Sequence, residues 1–91
     1  MSGALDQLRQ STPDLKRLDP LSDEVRTWLD KAYDALKEVD VVESAILRLH
    51  EHSLQDPERK AVASSEIMET IDRARATDNL MQRMGVQRRL P

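Results

Sequence analysis

His50-Glu51-His52 is the one cluster in this chain with the side chains of a metal site. Successive helical residues turn by about 100°, so His50 and His52 point roughly 200° apart and cannot grip one ion while the helix persists. Helical zinc motifs place their histidines four apart. No third or fourth ligand stands at a workable spacing, so the sequence assigns no metal and reads the pair as a solvated helix end.

Covalent and acid–base chemistry find little more to work with. The chain has no cysteine, which removes thiolate nucleophiles, thiolate metal sites and disulfides together. Gly3 and Gly85 are the only glycines, so no Gly-rich loop exists to cradle a phosphate. Asp30, Asp34 and Glu38 follow one another on a polar helix face. Carboxylates act as acid and base only when burial drives their pKa values apart, and water on an open face prevents that. The expectation is a protein that is not an enzyme, with no catalytic residue and no cofactor.

Phosphate recognition has one foothold, the arginines Arg83, Arg88 and Arg89 near the C-terminus. Net charge is nonetheless −3, and no aromatic residue accompanies the arginines to stack on bases. The charge distribution offers another account. From Asp19 to Glu43 there are eight acids against three bases, and from Arg73 onward five arginines against Asp78. A chain that folds back on itself brings these regions together, so the sequence argues against nucleic acid and for internal pairing.

The elements that carry these residues are helical. Of 91 residues a third are charged, Trp28 and Tyr33 are the only aromatics, and apolar content is mostly Leu, Val, Ile, Ala and Met. Ser22 is a good N-cap, with Asp23 and Glu24 placing negative charge on the first turn. In sevens, one seam reads Val25, Ala32, Val39, Ile46 and another reads Trp28, Ala35, Val42, Leu49, widened by Leu29 and Leu36. No Gly or Pro intervenes before Pro57, so the spacing predicts one helix over 22–53, about 45 Å long. Asp56-Pro57-Glu58 reads as a fresh start, and a weaker stripe through Ala61, Ser64, Ile67, Ile71, Ala74, Asp78 and Met81 predicts a second helix over 57–84. Gly85 offers a left-handed ending, with Val86 packing back.

The fold class expected is therefore all-α: an antiparallel helical hairpin of two long helices with a coiled-coil-like seam. Residues 1–20 precede it as a short helical or flexible segment, broken at Ser11-Thr12-Pro13-Asp14 with Thr12 as a cap; residues 86–91 follow as a basic tail. Two helices facing only each other leave half of each seam wet, and chains of this size are marginal. Either the N-terminal leucines cover the open side, or a second copy or an unlike helical partner completes a bundle.

Function follows that reasoning: a non-catalytic subunit for protein–protein interaction. The surface expected to meet the partner is Val25, Trp28, Leu29, Ala32, Leu36, Val39, Val42, Ile46 and Leu49 of the first helix, with Ile67, Met68, Ile71, Met81 and Met84 of the second. Arg83, Arg88 and Arg89 are possible basic contacts. Two alternatives stand beside it: a small chaperone-like protein, of a secretion or assembly system, that holds a partner's amphipathic helix against the Leu36–Met81 surface, with the methionines as an adaptable patch; and a nucleic-acid-binding regulator. No apolar run approaches the roughly 20 residues of a membrane span, and no cleavable signal is evident. The expected location is cytoplasmic, with export by an uncleaved signal left open.

Overall fold

The computed structural model describes residues 3–85. Its regular elements are four α-helices, α1 (Ala4–Gln10), α2 (Asp23–Val39), α3 (Val41–Ser53) and α4 (Lys60–Arg83), and no strand occurs among the described residues. The molecule is all-α.

One residue separates this architecture from the long helix that the heptads predict. Asp40 takes extended backbone angles (φ −156°, ψ 108°), ends α2 and opens α3. Its carboxylate accepts the N–H groups of Val42 at 2.9 Å and Glu43 at 3.4 Å. These are amides that a new helix leaves without an intrahelical acceptor, so the short acid is well matched to the position. The chain then doubles back. Arg48 of α3 lies 3.3 Å from Asp30 of α2, whereas a continuous helix would hold them about 27 Å apart.

The remaining directions follow from similar pairs. Arg73 of α4 meets Glu43 at 3.2 Å, and Glu66 lies 4.0 Å from His50, so α4 is antiparallel to α3. Asp6 and Arg9 of α1 meet Arg75 and Asp72, at 2.7 and 3.0 Å, so α1 is antiparallel to α4 as well. Helices α2, α3 and α4 form an up-down-up bundle, and α1 lies along α2 and α4.

The core runs through all four helices. Leu29 and Leu36 of α2, Leu47 of α3, Leu54 just after it, and Ile67 and Ile71 of α4 are fully buried. Leu5, Leu8 and Leu15 join them, so the N-terminal leucines cover the side of α2 that the hairpin alone leaves open. The indole N–H of Trp28 donates to the Leu8 carbonyl at 3.0 Å, fixing the end of α1. Ala32, Ala63, Ser64 and Ala74 are also buried and let the backbones approach closely. The buried hydroxyls are satisfied locally: Ser44 donates to the Val41 carbonyl, Ser64 to that of Lys60 and Thr70 to that of Glu66. That arrangement avoids the cost of an unpaired polar group in the core.

Two smaller expectations meet different geometry. Thr12 does not open a helix; its hydroxyl turns back to the carbonyls of Leu8 and Arg9 and closes α1. Asp14 opens the following turn, accepting from the Lys16 N–H through its side chain and from Arg17 and Leu18 through its carbonyl. Asp56 likewise caps a turn, with Glu58 donating to its carboxylate and Arg59 to its carbonyl, and α4 begins at Lys60. Both are short acids beside proline, where a side-chain turn competes with a helix start. Gly85 does take a left-handed φ of 73° after α4. Val86 and the tail 86–91 lie outside the described residues.

Asp40→Ala removes both cap bonds and is expected to cost about 1 kcal/mol. Leu36→Ala, at a site with no exposure, is expected to cost about 2–5 kcal/mol. Denaturant unfolding of the two variants measures both.

Candidate functional site

The break at Asp40 decides which apolar residues remain available at the surface. In α2 the predicted seam is buried within the chain itself: Val25, Trp28, Leu29, Ala32 and Leu36 are all core residues, and Val39 is half-buried. The same holds for Ile67 and Ile71 in α4. These side chains meet their own chain, so they do not form a free surface.

Beyond Asp40 the phase changes. The residues of α3 that turn inward are Ser44 and Leu47, followed by Leu54 just past its end. The predicted seam residues turn out: Val42 is 65% exposed, Leu49 is 66% exposed and Ile46 is half-buried. Val41 and Ala45 are exposed beside them. Helical spacing places Val42, Ala45, Ile46 and Leu49 in one strip along the outer side of α3. An aliphatic strip without a charge inside it is the informative kind of exposure, unlike single leucines scattered over a surface.

Beside it, α4 presents Val62, Glu69, Arg73 and Leu80 on its own outward side, with Val62 and Leu80 more than half exposed. The pairs Glu43–Arg73 and His50–Glu66 lie in the valley between the two helices. Met68 and Met81 are half-buried and Met84 is exposed at the end of α4. The methionines are therefore not gathered into one groove with Leu36, which is buried.

Arginine–carboxylate pairs clasp the bundle around its rim. Burial works against the charge on Arg48, yet its bonds to Glu51 and Asp30 outweigh that and raise its pKa above the ordinary value. Its guanidinium also lies over the Tyr33 ring, 4.1 Å from the centroid, an arrangement that a planar cation favours. Glu43 raises the pKa of Arg73, and Asp6 that of Arg75, in each case against a smaller burial effect. Arg9, Arg48, Arg73 and Arg75 thus each face an acid within the chain. Arg83 is exposed at the end of α4, while Arg88 and Arg89 lie outside the described residues.

The histidines fall as helical geometry requires. His50 faces Glu66 across α3 and α4, and His52 is exposed. Among the described residues no three His, Asp or Glu side chains are grouped as a metal site would need, and no helix is long and apolar enough to cross a membrane.

Sequence reasoning missed Val41, Val62 and Leu80 as surface residues, and the change of phase in α3. The signal was present: Asp40 followed by Glu43 is the spacing of a helix start, before an apolar run. The uninterrupted heptads concealed it.

The clasp at the N-terminus gives a pH dependence. The Arg75 guanidinium, and then the Gly3 N–H, hold the Asp6 carboxyl below its ordinary value of 3.8. The native state therefore favours the ionised form. Its contribution is present above about pH 4 and disappears as pH falls through the lower folded value. Asp6→Asn is expected to flatten that part of the acid limb in thermal melts taken from about pH 6 down to pH 2, by a small amount because the pair is exposed. Compared with known proteins, the chain matches no family model, no curated protein and no solved structure.

Proposed function

We propose that this chain is a non-catalytic protein–protein interaction subunit that docks through the outer side of α3. The observation that carries the reading is the strip Val42, Ala45, Ile46, Leu49, outward on a helix whose opposite side is already buried in a closed core. Solvated aliphatic side chains at i, i+3, i+4 and i+7 are the anchors by which one helix lies against another. Covering each of the two large ones fully is worth roughly 1.5–3 kcal/mol. Leu21, Val62, Leu80 and Met84 are exposed as well, but α3 is where exposed aliphatic residues follow one another at helical spacing.

The reading relocates the interface expected from the heptads. Oligomerisation is not needed to finish the core, because α1 and the Leu15 turn already cover α2. Association becomes an addition to a folded chain rather than a condition for folding. The chaperone-like alternative relied on a free Leu36–Met81 surface, and Leu36 has no exposure. The nucleic-acid alternative is weakened by the internal pairing of Arg9, Arg48, Arg73 and Arg75, since phosphates need unpaired cations in number.

A photo-crosslinking residue placed at Leu49 in cells that make this protein is expected to yield adducts of discrete mass. The same residue at Lys16, exposed in the turn after α1, is expected to yield none. Equal, diffuse labelling at both positions defeats the reading.

A further inference from the structure

The outer face of α3 and α4 is complementary to its own reversal, and we infer that its occupant is a second copy of this chain, packed antiparallel about a two-fold axis. The inference rests on the docking role proposed for α3 and names the partner. On α3 the strip has branched aliphatic residues at its ends, Val42 and Leu49, and between them the small Ala45 beside the larger Ile46. An antiparallel copy sets Val42 against the partner's Leu49, and Ala45 against the partner's Ile46. Valine then meets leucine at each end, and in the middle each Ala45 leaves room for the partner's Ile46.

The neighbouring helix carries the same symmetry with charge added. On the outward side of α4, Val62 and Leu80 lie at the ends and Glu69 and Arg73 lie near the middle. Reversal places Val62 against the partner's Leu80, and Glu69 against the partner's Arg73, so that each Arg73, which already holds Glu43 and lies 3.9 Å from its own Glu69, gains a second acid. A parallel arrangement would instead set Glu69 on the partner's Glu69.

The two palindromes also share a level. Glu43–Arg73 and His50–Glu66 fix the register between α3 and α4. That register puts the middle of the α3 strip, between Ala45 and Ile46, opposite Thr70 and Ile71 of α4. The midpoint of Glu69 and Arg73, and of Val62 and Leu80, is at Ile71. One axis therefore serves both helices to within about one residue, roughly 1.5 Å. Such self-complementarity is what an isologous interface requires, and an unlike partner would impose no such relation between the helices. The face is about 27 Å long on α4 and about 11 Å long on the α3 strip, on the order of 400 Å² per copy. That is below the roughly 800 Å² of a standard stable interface, so the dimer is expected to dissociate on dilution.

The chain has no cysteine, so introduced thiols report cleanly. Val42→Cys and Leu49→Cys are made separately in the full chain, and both lie at exposed positions. Sedimentation of the unaltered protein across a dilution series is expected to show a monomer–dimer equilibrium. Under mild oxidation, mixing the two variants is expected to give disulfide-linked pairs at least about tenfold faster than either alone, since only the mixed pair brings Cα atoms within about 7 Å. Faster linkage within each single variant means a parallel arrangement and overturns the inference, as does a monomer at every concentration. In that last case, adducts at Leu49 of a mass other than twice the chain keep α3 as a docking helix for an unlike protein. No discrete adduct removes both.

Discussion

The carboxylate of Asp40 is the interaction on which the rest of this structure depends. By accepting two backbone N–H groups it makes an extended residue tolerable in the middle of a run with unbroken helical spacing. Two backbone bonds still flank the break: the Asp40 N–H donates to Leu36, and its carbonyl accepts from Ser44. A break of one residue is thus enough to reverse the chain. From that reversal follow the closed bundle, the inward turn of Leu47 and the outward turn of Val42 and Leu49.

A second constraint is size. A chain of 91 residues with two aromatic side chains has little bulk to bury, so the helices must approach closely and waste no polar group. Alanines and hydroxyl residues at the crossings serve the first need, and bonds from those hydroxyls to carbonyls three or four residues earlier serve the second. Charge then acts at the rim. The acid-rich first half and arginine-rich second half meet as pairs between α1 and α4, α2 and α3, and α3 and α4. At that exposure such pairs contribute modestly to stability; they do more to fix which side of each helix faces which neighbour.

Much of this was legible in the residues. Helical class, the cap at Ser22, the buried side of α2, most of the buried side of α4 and the ending at Gly85 all follow from periodicity and capping chemistry. The boundary at Asp40 did not emerge, because the apolar heptads continue across it although the side that is buried changes. With it went the separation of the exposed residues of the expected surface from the buried ones. Val42, Ile46 and Leu49 belong to the same heptads as Val25 and Ala32, and only the reversal of the chain separates an inner residue from an outer one. Val62 and Leu80 were illegible for a related reason: each is flanked by the inward stripe of α4, and only the packing of α1 and α3 shows which side stays open.

Trp28 gives the molecule a property of its own. It is the only tryptophan, and its indole is tied to the carbonyl of Leu8, at the junction of the first segment with the bundle. Its emission colour and quenching therefore register whether the opening segment is seated, apart from the helical content contributed by the other three elements. The chain carries a native optical gauge for one docking event, in a protein whose far-ultraviolet signal is dominated by everything else.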